Sequence, residues 1–378
     1  MTHLTVVGGG FAGLTAALAA AEAGAEVTLY EAHRDLGGRA RTSDGPYRTN
    51  DGPHALYNGG AHWPWLKRRG LLRPMAQLPP HEGLRMRYRL GDALRRTPPL
   101  GLLRLARRRS APVDEPFLDW AAREVGEESA RAAARFAAVS TYHHDPGALS
   151  AAFTQERFRR SAKLPPEAHY PRGGWGELIA RMAGRARGAG VRIETGARID
   201  ALGDLPDGGP VVVATTLDAA RRLLKDESLS WPSGRTALLD LALERRGGDA
   251  FAVSDLDGPG WVERFTAQDR SLAPDGISLI QAQFPVTPEE SRDDALERGS
   301  RLLDLGYPGW RDRTVHSSRA MAAHRTGAID VVGTSWRDRP AVDRGGDVYL
   351  AGDQVAAPGV LSEVSFSSAL EAVRLALR

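Results

Sequence analysis

No cysteine occurs in the 378-residue chain. That alone excludes disulfides, zinc–thiolate centres, iron–sulfur clusters, thiol–disulfide relays and any cofactor tethered through cysteine sulfur. Lysine is nearly as rare, standing only at positions 67, 163 and 225, so the basic side is almost all arginine. This bias reads as genome composition before function. No apolar run approaches the ~18 residues of a membrane span. No basic segment precedes the first apolar run at Leu4, so no export signal is expected and the expected location is the cytoplasm. Opposite charges nearly cancel at a net +3, which does not single out nucleic acid as a partner. Neither a Ser-His-Asp order nor a paired-carboxylate motif nor metal-ligand spacing appears, so neither hydrolysis nor a metal site is expected.

What is present is ordinary for a soluble globular chain, at 42% hydrophobic and 26% charged residues. The length allows two or three domains and a sizeable core. The informative stretch is the first 42 residues. Leu4-Thr5-Val6-Val7 is a β-branched apolar run, followed by Gly8-Gly9-Gly10-Phe11-Ala12-Gly13 and an Ala/Leu-rich segment to Gly24. Val27-Thr28-Leu29-Tyr30 then ends on Glu31, 18 residues after Gly13. This is strand, G-x-G-x-x-G, helix, strand and acid, close to the roughly 20-residue spacing of a dinucleotide fingerprint. Gly8 turns out of the strand, Gly10 admits a pyrophosphate to the backbone, and Gly13 lets helix pack on sheet. Phe11 and Ala12 open the helix, whose free N–H groups and dipole favour phosphate. Glu31 is placed to accept from a ribose.

Leu36-Gly37-Gly38-Arg39-Ala40-Arg41-Thr42 follows, reading L-G-G-R-x-x-T. With the first motif it resembles the flavoprotein family of amine oxidases, protoporphyrinogen oxidases and phytoene desaturases. The resemblance implies FAD, with Gly37 and Gly38 near the diphosphate and Arg39 holding it. Near the C-terminus, Val348 to Asp353 reads as a strand ending in Gly352-Asp353; Pro358-Gly359-Val360-Leu361 and a helix-like run from Ser362 to Leu377 come next. This resembles the family's A-G-D motif, which implies that Asp353 binds the ribityl–phosphate region and that the following helix points its N-terminus at the flavin ring. Asp51-Gly52-Pro53-His54 lies where relatives pass a loop close to the ring, and Ile199 lies near the adenine position. The implied cofactor is non-covalent FAD.

The fold implied is α/β: a Rossmann-like FAD-binding domain with an inserted α+β substrate domain of mixed or antiparallel sheet plus helices. The expected boundaries are 1–60, 185–225 and 330–378 for the first, 61–184 and 226–329 for the second. Alternating strands are expected at Ala237–Leu243, Phe251–Val253 and Ile277–Phe284, with a helix over 288–303. From Lys67 to Arg109, thirteen Lys/Arg face two acids, Glu82 and Asp92. Residues 67–109 fit a solvated basic face with leucines packed inward, a membrane-surface helix, or a site for a polyanionic ligand. Tyr142-His143-His144-Asp145-Pro146 and Tyr170-Pro171-Arg172-Gly173-Gly174 resemble passages of the phytoene-desaturase branch. Pocket candidates are therefore His54, Tyr142, His143, His144, Tyr170 and Phe366.

The resemblance implies hydride transfer from a C–H bond of a small, largely apolar substrate to flavin N5, as in a dehydrogenase or desaturase, with O2 or a quinone-like electron acceptor. Two alternatives stay open: an amine oxidase releasing imine and peroxide, and a flavin-containing isomerase without net redox change. None of the three lysines stands where the amine oxidases place theirs.

Overall fold

The computed structural model describes residues 2–52, 55–205 and 208–378, with the side chain of Arg325 left aside. Strand β1 (His3–Val7) is followed by helix α1 (Phe11–Glu22) and strand β2 (Glu26–Glu31). Both strands join a five-stranded sheet in the order Val348–Leu350, Val211–Val213, β1, β2, Arg192–Thr195. All pairings are parallel, with Val6 opposite Leu29 on one side and Val212 on the other. A parallel strand is covered on both faces, so its residues are apolar in succession rather than alternately. That is the pattern of Leu4–Val7, Val27–Leu29 and Val211–Val213. Helix α1 is built almost wholly of Ala, Leu and Gly and packs against the helices Trp175–Gly188 and Ser362–Ala376.

The second sheet has seven strands, in the order Thr314–Ala328, Ser233–Glu244, Ile277–Pro285, Trp261–Arg264, Ala252–Asp255, Met86–Leu90, Ala93–Arg95. Its neighbours are antiparallel except for Ala252–Asp255 beside Met86–Leu90. Alternation sorts the long strands. Ala237, Leu239, Leu241, Leu243, Ile280, Ala282 and Phe284 form one apolar face, covered by the helix Arg292–Gly306. The opposite face looks into the cavity described below. The helices Phe117–Val125, Glu127–Thr141 and Ala151–Ser161 pack around Phe117, Trp120, Phe136 and Phe158.

Three sequence expectations need correction. Residues 67–109 are not one helix. They form the strands Met75–Ala76, Met86–Leu90 and Ala93–Arg95 and the short helices Pro80–Gly83 and Leu100–Leu105. Some of their arginines serve the fold: Arg69 pairs with Glu22, and Arg89 holds both oxygens of Asp255 at 3.0 and 2.9 Å. The strand Thr314–Ala328 is absent from the sequence reading. It is a largely exposed edge strand, so burial imposes no apolar alternation on it. The helix expected over 288–303 begins at Arg292, because Ser291 Oγ caps it by accepting from Asp294 N at 3.2 Å.

Candidate cofactor and substrate site

The turn between β1 and α1 shows why glycine stands at two of its positions. A Cβ on Gly13 would lie 1.8 Å from the Gly8 carbonyl oxygen, and one on Gly8 would lie 2.4 Å from the Ala214 oxygen. Gly8 also needs a φ of +108°. Gly10 differs. Its backbone is ordinary, at φ −77°, and a Cβ there would meet nothing closer than 3.7 Å. Gly10 is the N-cap of α1, and no side chain among the described residues caps that end. Gly10, Phe11 and Ala12 line a cavity, so the free N–H groups of the first turn face space rather than protein. Glu31, only 7% exposed, accepts from Gly9 N at 2.7 Å and from His33 N at 2.9 Å. It thereby ties the end of β2 to the glycine turn, and it still lines the cavity with lone pairs to spare.

The second and third motifs meet here. Gly37 (φ +117°) and Gly38 (φ +58°) turn the chain beside the first motif, with Gly37 N donating to Gly9 O at 2.9 Å. Arg39 Nη1 donates to Asp353 Oδ2 at 2.7 Å, across 314 residues of sequence. Burial pulls the Arg39 pKa down, but Asp353 more than reverses this and the guanidinium stays charged. The Gly-Asp turn is held from behind by Ser368, whose Oγ accepts from Gly352 N at 2.9 Å and donates to Gly352 O at 3.1 Å. Leu361, at φ +55° and ψ −120°, precedes the C-terminal helix in a conformation that costs a side-chain-bearing residue about 1–3 kcal/mol. The turn is held by Glu363, which accepts from Val360 N at 3.1 Å and takes the Arg160 guanidinium at 2.6 Å. Arg160 also pairs with Glu167.

The cavity measures about 2560 Å³ and is continuous from these motifs to the floor of the seven-stranded sheet. Cross-strand register lays a polar row along that floor. Ser318 stands opposite Asp240, Asp240 opposite Gln281, and Gln281 opposite Glu263. Gln281 Nε2 donates to Asp240 Oδ1 and to Asn50 O, both at 2.8 Å, which stitches the floor to the loop carrying Gly52. Burial raises the Asp240 pKa to about 6, against the hydrogen bonds from Gln281 and Thr49. Glu263 accepts from Tyr170 Oη at 2.7 Å, Gln268 Nε2 at 2.6 Å and Trp261 Nε1 at 2.9 Å, all neutral donors. Burial pushes its pKa up as well. The rest of the wall is largely apolar or aromatic, including Leu78, Leu102, Phe136, Leu238 and Phe251.

Of the sequence candidates, Tyr142 and Tyr170 stand in the wall, as do Gly52, Ile199 and Leu361. Burial pushes the pKa of both tyrosines above the ordinary range, so they are hydrogen-bonding phenols. Pro53 and His54 lie outside the described residues. His143 and His144 are not brought to the cavity. Their rings lie against each other at 4.4 Å, and His143 Nδ1 accepts from Asp145 N at 3.1 Å. Phe366 is also displaced from the pocket, because it packs edge-on against Trp65 at 5.5 Å in the core. Gly359 and Val360 lie behind the wall and shape the turn at Leu361. The sequence reading missed Asp240 and Glu263. Asp240 carried a signal, since it is the lone acid in the apolar run Ala237–Leu243.

His62 is fully buried, and neither ring nitrogen has a hydrogen-bond partner among the described residues. Burial, with Arg160 adding, lowers its pKa to about 4. A histidine depressed in the folded state binds fewer protons than in the unfolded chain, so stability is lost as pH falls from 6.5 through 4. The loss reaches about 3 kcal/mol below pH 4. Denaturant titrations of His62→Phe and the parent at pH 7 and pH 4 should show a smaller acid loss in the variant. Equal losses refute this.

A glycine turn feeding an uncapped helix, an acid closing the second strand and a cavity running along all three define a Rossmann-type dinucleotide-binding protein. Residues 6–69 match the family model described as an NAD(P)-binding Rossmann-like domain. Among solved structures, an oxidoreductase from Methanosarcina mazei aligns over 98% of this chain and 100% of its own, at TM-score 0.78 and 16% identity. The cyclohexylamine oxidase of Brevibacterium oxydans aligns over 99% and 98%, at TM-score 0.70 and 16% identity. A reduced UDP-galactopyranose mutase aligns over 100% and 96%, at TM-score 0.70 and 14% identity. The chain thus shares the fold of these two oxidoreductases and this mutase over nearly its whole length. A search of curated protein sequences gives no match.

Proposed function

We propose that this protein is an FAD-dependent oxidoreductase that dehydrogenates a small, largely apolar substrate. One observation carries the proposal: the dinucleotide cradle and a wide, mostly apolar chamber are a single cavity, with the buried Glu263 and the half-buried Asp240 in its floor. The residues fit FAD. Gly10 leaves room at the backbone, the first turn of α1 offers unclaimed N–H groups, and Arg39 brings a cation. When bound, FAD supplies the hydride acceptor, its N5. The chain does the rest. Gly8–Gly13 and Arg39 hold the diphosphate, and Glu31 takes the ribose. Asp353 orients the ribityl arm, and the 362–376 helix offers its positive end to the ring. The apolar wall excludes water. Asp240 accepts the proton that leaves the substrate, since its pKa of about 6 suits a base near neutrality.

A second reading, oxidation of an amine, is favoured by Asp240 and Glu263, two floor carboxylates with no cationic partner among the described residues. Anaerobic mixing of purified protein with cyclohexylamine, and separately with unsaturated cyclic hydrocarbons, tests both. Bleaching of flavin absorbance by the hydrocarbons supports dehydrogenation, and bleaching by the amine supports the second reading. Turnover of a substrate with the flavin oxidised throughout sinks both, in favour of redox-neutral isomerisation.

Asp353→Ala removes the partner of Arg39 and the ribityl anchor. A hydrogen bond to a charged group contributes roughly 1.5–3 kcal/mol, so flavin affinity should fall about ten- to a hundredfold. Glu31→Ala and Arg39→Ala should each lower occupancy too. Acid precipitation should release free flavin from the parent, and a yellow pellet would refute non-covalent binding.

A further inference from the structure

Among the described residues, the three most exposed large apolar side chains are Leu84, Leu164 and Leu100, at 78, 77 and 73%. They come from distant parts of the chain, yet the fold gathers them. Leu84 and Leu164 both line the cavity, and so does Leu103, one helical turn beyond Leu100. Residues that line a cavity while exposed to this degree stand at its opening. Ala76 pairs with Tyr170, which brings the chain entering Leu78 beside the strand that follows Leu164. Gln155 Nε2 donates to Leu105 O and Arg108 O, both at 2.8 Å. That fixes the helix leading to Leu164 against the segment bearing Leu100 and Leu103.

Arginines ring these leucines. Arg87 Nη1 donates to the Leu84 carbonyl at 2.8 Å. Partial burial and then the neighbours Arg96 and Arg85 lower the Arg87 pKa, which marks a crowd of cations. Arg95, Arg96, Arg104, Arg107 and Arg109 are exposed and form no ion pair among the described residues. Arg108 and Lys163 are neutralised by Glu124 and Glu167. Of the nearby acids, Glu82 is engaged by Arg264, while Asp92 and Asp257 stand exposed, Asp257 accepting from Gly91 N at 2.6 Å. Isolated exposed leucines need no explanation, but a cluster at a cavity opening inside a cationic rim does.

We propose that this arginine-ringed leucine rim docks on an anionic lipid bilayer, with Leu84, Leu100, Leu103 and Leu164 set among the headgroups and the cavity opening against the membrane. Charge complementarity commits the surface to an anionic bilayer, and insertion of apolar side chains adds what charge alone does not.

The test is flotation of the flavin-loaded full chain with vesicles of phosphatidylcholine alone and of phosphatidylcholine with phosphatidylglycerol. The parent should float with the anionic vesicles at low salt and less at high salt. Leu84→Asp/Leu100→Asp/Leu103→Asp should lower the bound fraction at least ~10-fold, since it removes apolar area and adds like charge to the lipid. Arg95→Glu/Arg96→Glu/Arg104→Glu should lower affinity at least ~100-fold. Flavin absorbance and thermal unfolding of each variant are read alongside, and the comparison uses variants that keep both. Absence of flotation at low salt overturns the proposal, and so does undiminished flotation of the leucine variant. If the parent elutes as a dimer that the leucine substitutions dissolve, the rim is an interface between copies of the chain and the proposal fails.

Discussion

Gly10→Ala is expected to fold as the parent does and to lose most of its bound flavin. Gly13→Ala is expected to lose both the flavin and the fold. The contrast comes from what each new methyl group would meet. At Gly13 it would lie 1.8 Å from a backbone oxygen that cannot move without unpacking α1 from the sheet. Overpacking of a well-filled site typically costs 1–3 kcal/mol, and a clash this deep with backbone should exceed that range. At Gly10 the methyl group has room and an ordinary backbone conformation. It would occupy only the space that a diphosphate needs. Thermal unfolding of the flavin-free forms should leave the Gly10 variant within about 1 °C of the parent, since surface-type changes are usually within ±0.5 kcal/mol. Flavin affinity should fall at least ~10-fold, one lost close contact to phosphate being worth roughly 1.5 kcal/mol or more. A Gly10 variant that retains full flavin would show that the diphosphate does not approach this backbone.

Asp240→Asn should slow flavin reduction by about 10²–10⁴-fold, the usual contribution of a positioned base. The pH profile gives the sharper readout. Asp240 accepts a proton only when ionised, so the rate in the parent should rise with pH through about 6. The asparagine variant should lack that limb. Stability should move the other way. An aspartate whose folded pKa is raised favours the fold below its unfolded value, and that contribution is lost as pH rises from 3.8 through 6. At pH 7 the parent therefore carries a penalty on the order of 2–3 kcal/mol that the variant escapes. A variant both slower and more stable is the signature of a carboxylate kept for chemistry. If Asp240→Asn is slower and also less stable, its bond to Gln281 is structural and the base lies elsewhere.

The cofactor end was legible in the sequence because its determinants are local. A tight turn, a close backbone approach and a helix start each depend on a few consecutive residues, so Gly8–Gly13, Gly37–Arg39 and Gly352–Asp353 stand out in one dimension. The parallel sheet was legible for a related reason, as burial on both faces writes continuous apolar runs. The substrate end was not. Asp240, Gln281 and Glu263 form one row only because three strands pair in a particular register, and no segment contains that register. The edge strand Thr314–Ala328 carries little burial and so little pattern. His143, His144 and Phe366 have the chemistry of a pocket, but the turn at Asp145 and the packing on Trp65 direct them elsewhere.

By itself the sequence determined the class of chemistry it excludes, the dinucleotide cradle and the order of its elements, because these follow from residue type and short-range spacing. Only the tertiary structure decided which acids share the cavity, that Arg39 meets Asp353, and that Leu84, Leu103 and Leu164 line one cavity. Those are contacts between segments far apart in the chain. Strand register and helix packing set them, and both are settled by the whole core together rather than by any stretch of it.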